Sequence, residues 1–136
     1  MKLVVVDTNV LIDYANGYAP WIDTLFVSRA SSDRLIIPTI VIAEYYTSTS
    51  LEHEKESQIA DKTFSFFTTQ DLTEPIAKIL GRILRRKSYT PGTSLADLIV
   101  ASTALFLNSE LATRNKKDFA KIPDLTFFDP KKYDLL

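Results

Sequence analysis

The apolar residues of this chain fall into short unbroken runs, separated by longer stretches in which they recur every three or four positions. Leu3-Val4-Val5-Val6 is the first run, and it does not alternate with polar residues. A β-branched run of that kind is the pattern of a strand covered on both faces, which makes it a central strand of a parallel sheet. Arg34-Leu35-Ile36-Ile37, Leu111-Ala112-Thr113 and Leu125-Thr126-Phe127-Phe128 read as further strands, and Thr68-Thr69-Gln70 as a brief extended piece. Between them the helical period predicts helices over 10–15, with Thr8 and Asn9 as caps and Gly17 as the stop, over 21–27 behind Pro20, and from 38–39 through 51. Others are expected over 56–67, over 75–87 behind capping residues at 71–74, from 94 to 108, and briefly after Asn115. Residues 88–93, with Pro91 and Gly92, form the clearest loop. Strands that alternate with helices in this way make an α/β fold on a parallel sheet.

Acids interrupt this pattern at telling places. Asp7 stands where the first strand ends, and ligands of open α/β sheets gather just outside the carboxyl ends of the strands. A turn residue at a strand-to-helix junction would occupy the same place. Glu44 has Ile40, Ala43, Thr47 and Leu51 as its neighbours at helical spacing, so it shares a largely inward-facing stripe. Burying an ionised acid is costly unless it is paired or holds a metal, and no lysine or arginine stands one helical turn away. The alternative is a carboxylate at the edge of the stripe, reaching water. Asp97 is the only charge in the most hydrophobic helix. Ser94-x-x-Asp97 fits a capping box, while the stacking of Asp97 above Ala101 and Ala104 suits a helix end pressed against a central strand. Asp118 follows Asn115 as a cap is followed by a first-turn acid.

Composition narrows the chemistry. With 136 residues, 46% hydrophobic and 24% charged, the chain is expected to form one globular domain, 1–136, without disorder. The amino terminus is too short in apolar residues for a signal peptide and no run approaches the ~18 of a membrane span, so a cytoplasmic protein with no membrane attachment is expected. There is no cysteine, and the single histidine, His53, lies in the charged stretch 52–56, where solvent exposure and no role are expected. Any metal must therefore be held by oxygen. Converging carboxylates persist only around something positive, which points to a hard cation, Mg²⁺ or Mn²⁺, and to metal-assisted phosphodiester hydrolysis.

A net charge of −1 leaves no global footprint for nucleic acid, so local patches must carry any such contact. One is Arg82, Arg85, Arg86 and Lys87, just before the loop that leads to Asp97; the other is Arg114, Lys116, Lys117 and Lys121. Solvated helix faces, or cations favoured at helix ends, are the plainer readings of both. Arg82, Arg85, Arg86 and Arg114 are the candidate contacts to nucleic-acid phosphates. Phe64, Phe66 and Phe67 read as core, not as a platform for stacked bases.

Four segments together resemble the PIN domain, and within it the VapC-type ribonuclease toxins of toxin–antitoxin pairs: Val-Val-Asp7-Thr8-Asn9-Val-Leu-Ile-Asp, Ile-Ala-Glu44, Asp97-Leu-Ile-Val-Ala-Ser-Thr-Ala, and Leu-Ala-Thr113-Arg114-Asn115-Lys-Lys-Asp118-Phe119. The resemblance spans nearly the whole chain and implies a three-layer α/β/α sandwich around a parallel sheet of four to five strands. It implies a metal-dependent endoribonuclease whose acidic quartet binds Mg²⁺ or Mn²⁺. Asp7, Glu44 and Asp97 map onto that quartet, and its fourth place falls to Asn115 or Asp118, of which Asp118 brings the charge. Thr8, Asn9, Thr113 and Asn115 would support these ligands. An RNA substrate, a small antitoxin partner and a homodimer are further implications. Two rivals remain: a non-catalytic RNA-binding or scaffold protein on the same fold, and a phosphoaspartyl phosphatase or receiver module. The phosphatase pattern wants a second acid two residues after the nucleophile, where this chain has Asn9.

Overall fold

The computed structural model describes residues 3–27 and 34–133; Lys2, at the head of the opening run, lies outside them. Five parallel strands form one sheet: β1 (Leu3–Val6), β2 (Arg34–Pro38), β3 (Thr68–Gln70), β4 (Glu110–Ala112) and β5 (Thr126–Phe127), in the order β3-β2-β1-β4-β5. The first strand is central, as its unbroken run predicts. Val4, Val5 and Val6 are each fully buried, a gain of about 1.5–3 kcal/mol per side chain over exposure. Among the described residues seven α-helices accompany the sheet: α1 (Thr8–Ala15), α2 (Trp21–Val27), α3 (Thr39–Tyr45), α4 (Glu54–Ser65), α5 (Glu74–Arg86), α6 (Leu95–Phe106) and α7 (Lys116–Phe119). The result is the expected α/β/α sandwich. Among the described residues no helix is long and apolar enough to cross a membrane.

Several boundaries differ from expectation, each for a local reason. The third helix stops at Tyr45 instead of continuing to Leu51, because the Thr47-Ser48-Thr49-Ser50 run bonds to its own backbone. The Thr47 hydroxyl donates to the Glu44 carbonyl at 2.7 Å, and Ser48 caps a separate 3₁₀ turn, Thr49–Glu52. The expected inward stripe around Glu44 dissolves with it: Val41 is buried, Ala43 and Thr47 are exposed, and Glu44 is half-buried at an edge. Helix α4 is shifted two residues towards the amino terminus. Of the three phenylalanines at its end, Phe67 is core and Phe64 partly so, while Phe66 is 56% exposed with its ring 5.9 Å from that of Phe26. The fourth strand ends at Ala112, one residue earlier than expected. Thr73 and Asn115 are the caps of α5 and α7 by backbone geometry, but neither side chain makes a capping hydrogen bond.

Candidate active site

Parallel register builds the site. Val6 of β1 pairs with Ala112 of β4, so the next residues of the two strands, Asp7 and Thr113, emerge side by side at the carboxyl edge of the sheet. The Thr113 hydroxyl donates to Asp7 Oδ2 at 2.8 Å. Asp7, and neither Thr8 nor Asn9, is the N-cap of α1: its Oδ1 accepts the Thr8 backbone N–H at 2.8 Å. Thr8 and Asn9 are displaced into the first turn because Asp7 already has the extended backbone and the acceptor that a cap requires. Asn9 then acts as a clip. Its Nδ2 donates to Asp7 Oδ2 at 3.3 Å and its Oδ1 accepts the Arg114 backbone N–H at 3.1 Å.

Asp7 is only 2% exposed, yet no cation among the described residues pairs with it. Burial pushes its carboxyl above the usual range; the Thr113 and Thr8 hydrogen bonds oppose that shift, and the charges of Asp97 and Glu44 add to it. The other acids surround this anchor. Glu44, from α3, accepts the Thr8 hydroxyl on Oε1 at 2.7 Å, a bond across 36 residues of chain. Asp97 begins α6, where Ser94 accepts the Asp97 backbone N–H at 3.1 Å and donates in return to its carboxylate. The capping reading of Asp97 is met. It closes a capping box, and its carboxyl is raised by burial first and then by the charges of Glu44 and Asp118.

Asp118 reaches the group from α7. The Thr93 hydroxyl, in the loop before α6, donates to the Asp118 carbonyl at 3.1 Å and ties the two segments together. Asn115 is exposed, and what it contributes is a backbone N–H donated to the Thr113 hydroxyl at 3.1 Å. Of these two residues, Asp118 is the one whose charge acts on Asp97.

Among the described residues, no three acids or imidazoles stand close enough together to hold a metal ion between them. Three carboxylates gathered near a buried fourth, with no imidazole or thiolate among them, are nonetheless oxygen donors of the kind a hard divalent ion takes, since such an ion keeps several waters and needs few protein ligands.

The arginines separate into two groups. Arg82 and Arg86 line a cavity of about 300 Å³ between α5 and the residues after α7, floored by Ile79, Ile83 and Leu105; none of the four acids enters it. The side chain of Arg114 instead pairs with Asp13, Nε to Oδ2 at 2.8 Å. Asp13 was not singled out by its sequence, and no local signal links it to a partner so far along the chain.

The sequence model of the PIN domain matches residues 4–125. Over 128 residues the chain is 30% identical to Ribonuclease VapC19 of Mycobacterium tuberculosis, covering 92% of this chain and 97% of that protein. Among solved structures it resembles VapBC-1 from nontypeable Haemophilus influenzae, at a TM-score of 0.69 and 26% identity over 93% of this chain and 97% of that one. A toxin–antitoxin complex from Klebsiella pneumoniae matches at 0.68 and 28% over 90% and 95%. Matched along almost its whole length, with an acid at the end of β1 and others at the heads of α6 and α7 and within α3, the chain belongs to the PIN-domain family, in its VapC-type branch.

Proposed function

We infer that this protein is a metal-dependent endoribonuclease and the toxin of a type II toxin–antitoxin pair, acting in the cytoplasm as a single-domain chain and as a homodimer. The observation that carries the chemistry is a buried Asp7 with no cation beside it, close to the charges of Glu44 and Asp97, with Asp118 in turn close to Asp97. The antitoxin assignment rests on likeness to the toxin–antitoxin complex from Klebsiella pneumoniae and to VapBC-1.

Asp7 and Asp97 would be the principal ligands, with Glu44 and Asp118 completing the charge. A bound Mg²⁺ or Mn²⁺ would supply Lewis-acid activation of water and neutralise charge on the phosphodiester. The protein's own groups do the rest. Thr8, Asn9 and Thr113 hold the two Asp7 oxygens in place, so the carboxylate loses no rotamer freedom on binding. The Thr8 hydroxyl holds Glu44 Oε1 and leaves Oε2 to accept a proton from the attacking water. That water adds to phosphorus as one ester P–O bond breaks. A phosphoaspartyl role fits poorly, because both Asp7 oxygens already accept hydrogen bonds and Asn9 spends its side chain on Asp7 and the Arg114 backbone.

Purified protein is expected to cut single-stranded RNA only with added Mg²⁺ or Mn²⁺, and EDTA should stop it. Cleavage that persists in EDTA would remove the metal from the mechanism.

Arg82, Arg85 and Arg86 are assigned to RNA phosphates. Replacing Arg85 and Arg86 together with alanine should weaken RNA binding and flatten the plot of log affinity against log salt by roughly one unit or more. An unchanged slope would return them to a solvated helix face.

A further inference from the structure

A second cavity, of about 150 Å³, opens beside the acid cluster. It is walled by α1, the turn after α1, the end of β4 and the residues following β5. Its floor is apolar and aromatic: Trp21 and Phe128 are both buried, their rings 5.0 Å apart and tilted by 34°. Tyr18 lines the same cavity yet is 78% exposed, more than any other large hydrophobic side chain among the described residues. A ring left in water next to an aromatic floor has a stacking face to offer. Thr113 also lines the cavity, and its hydroxyl is the one that holds Asp7. Whatever occupies this space therefore adjoins the reacting phosphate.

The polar groups of the wall are Asp13 and Arg114, joined through Oδ2 and Nε. That pairing fixes both side chains and leaves Asp13 Oδ1 and the terminal nitrogens of Arg114 without partners among the described residues. An acceptor and a fork of donors are thus held side by side at the edge of a stacking cavity, the arrangement with which proteins read the Watson–Crick edge of an unstacked base. Guanine alone presents two adjacent N–H donors beside a carbonyl acceptor. Adenine and cytosine each offer one amino group beside a ring nitrogen, and uracil a single N–H between carbonyls.

We propose that this cavity is a guanine subsite for the nucleotide next to the cleaved phosphate. The base stacks on Tyr18 over the Trp21–Phe128 floor, Asp13 accepts from N1–H and N2–H, and Arg114 donates to O6. This rests on the ribonuclease reading for its place in catalysis but not for the binding itself, so the two are tested apart.

Trp21 is the single tryptophan of the chain, so its indole N–H gives one resolved resonance inside the cavity. Titrated with metal-free GMP, AMP, CMP and UMP, that resonance should shift saturably and most strongly with GMP. Asp13→Asn should lose the preference, and Tyr18→Ala, an exposed position that leaves the fold intact, should weaken binding of every base. In cleavage of oligonucleotides that differ at one position, the parent should favour guanosine beside the cut by about tenfold, and Asp13→Asn should erase that margin. No shift with GMP, or equal shifts with all four nucleotides, overturns the subsite. A GMP-selective shift in a protein that cuts no RNA supports the subsite and overturns the ribonuclease reading.

Discussion

Asp97→Asn is expected to abolish RNA cleavage and to leave a folded protein at least as stable as the parent without metal. The cap survives the change, because Ser94 still accepts the backbone N–H of residue 97 and the asparagine carbonyl still accepts from Ser94. What disappears is one negative charge. The folded-state pKa of Asp97 is raised, by burial first and then by Glu44 and Asp118, so the fold binds a proton there more tightly than the unfolded chain does. The sign follows: the ionised form is penalised in the fold at neutral pH, and that penalty fades as pH falls through the folded pKa towards the unfolded value, about 3.9. Asparagine removes it at every pH. Thermal melts in EDTA should therefore show an equal or higher Tm for the variant, and added Mn²⁺ should raise the parent's Tm more than the variant's. An Asp97→Asn protein that cut RNA at the parent rate would make this acid a cap and nothing more.

Replacing Asp7 should have the largest combined effect, and the choice of substituent separates its two roles. Asp7→Asn retains a carbonyl for the Thr8 N–H, and the Thr113 hydroxyl can rotate to accept from the new amide; only the long Asn9 bond to Oδ2 is lost, so cleavage should vanish while stability stays closer to the parent's than in the alanine variant. Asp7→Ala removes the acceptor for the Thr8 N–H, the Thr113 hydroxyl and the Asn9 amide together. Leaving such donors unsatisfied beside a residue only 2% exposed should cost about 1–3 kcal/mol relative to the asparagine variant. The lost cap lies within that range. Urea melts of the three proteins in EDTA measure the difference. Equal midpoints for the alanine and asparagine variants would show that Asp7 has no structural role.

Much of this molecule is legible locally. The unbroken Leu3–Val6 run declares a strand buried on both faces, and such a strand has to be central. Ser94 and Asp97 declare a helix start, because a capping box is a contact between residues three apart. The absence of cysteine and the lone His53 restrict any metal to oxygen ligands. Where local reading failed, the backbone had a choice between similar options: Asp7, Thr8 and Asn9 can all cap a helix, and the Thr47–Ser50 run can continue α3 or end it. There the tertiary fold decided, by fixing Asp7 at the end of β1 with extended geometry. The site itself depends on contacts across 36, 105 and 106 residues: Thr8 with Glu44, Asn9 with the Arg114 backbone, and Asp7 with Thr113. No periodicity encodes such pairs. They exist because β1 lies between β2 and β4 in parallel register, which brings the ends of those strands to one edge. The same register brings Arg114 to Asp13, and so makes a polar wall from two residues whose pairing no local signal announces. Sequence thus determined the strands, the helices and an oxygen-only set of candidate ligands, because those are written in composition and in patterns a few residues long; which residue caps α1 and which acids face one another were settled only when strands far apart in sequence were paired.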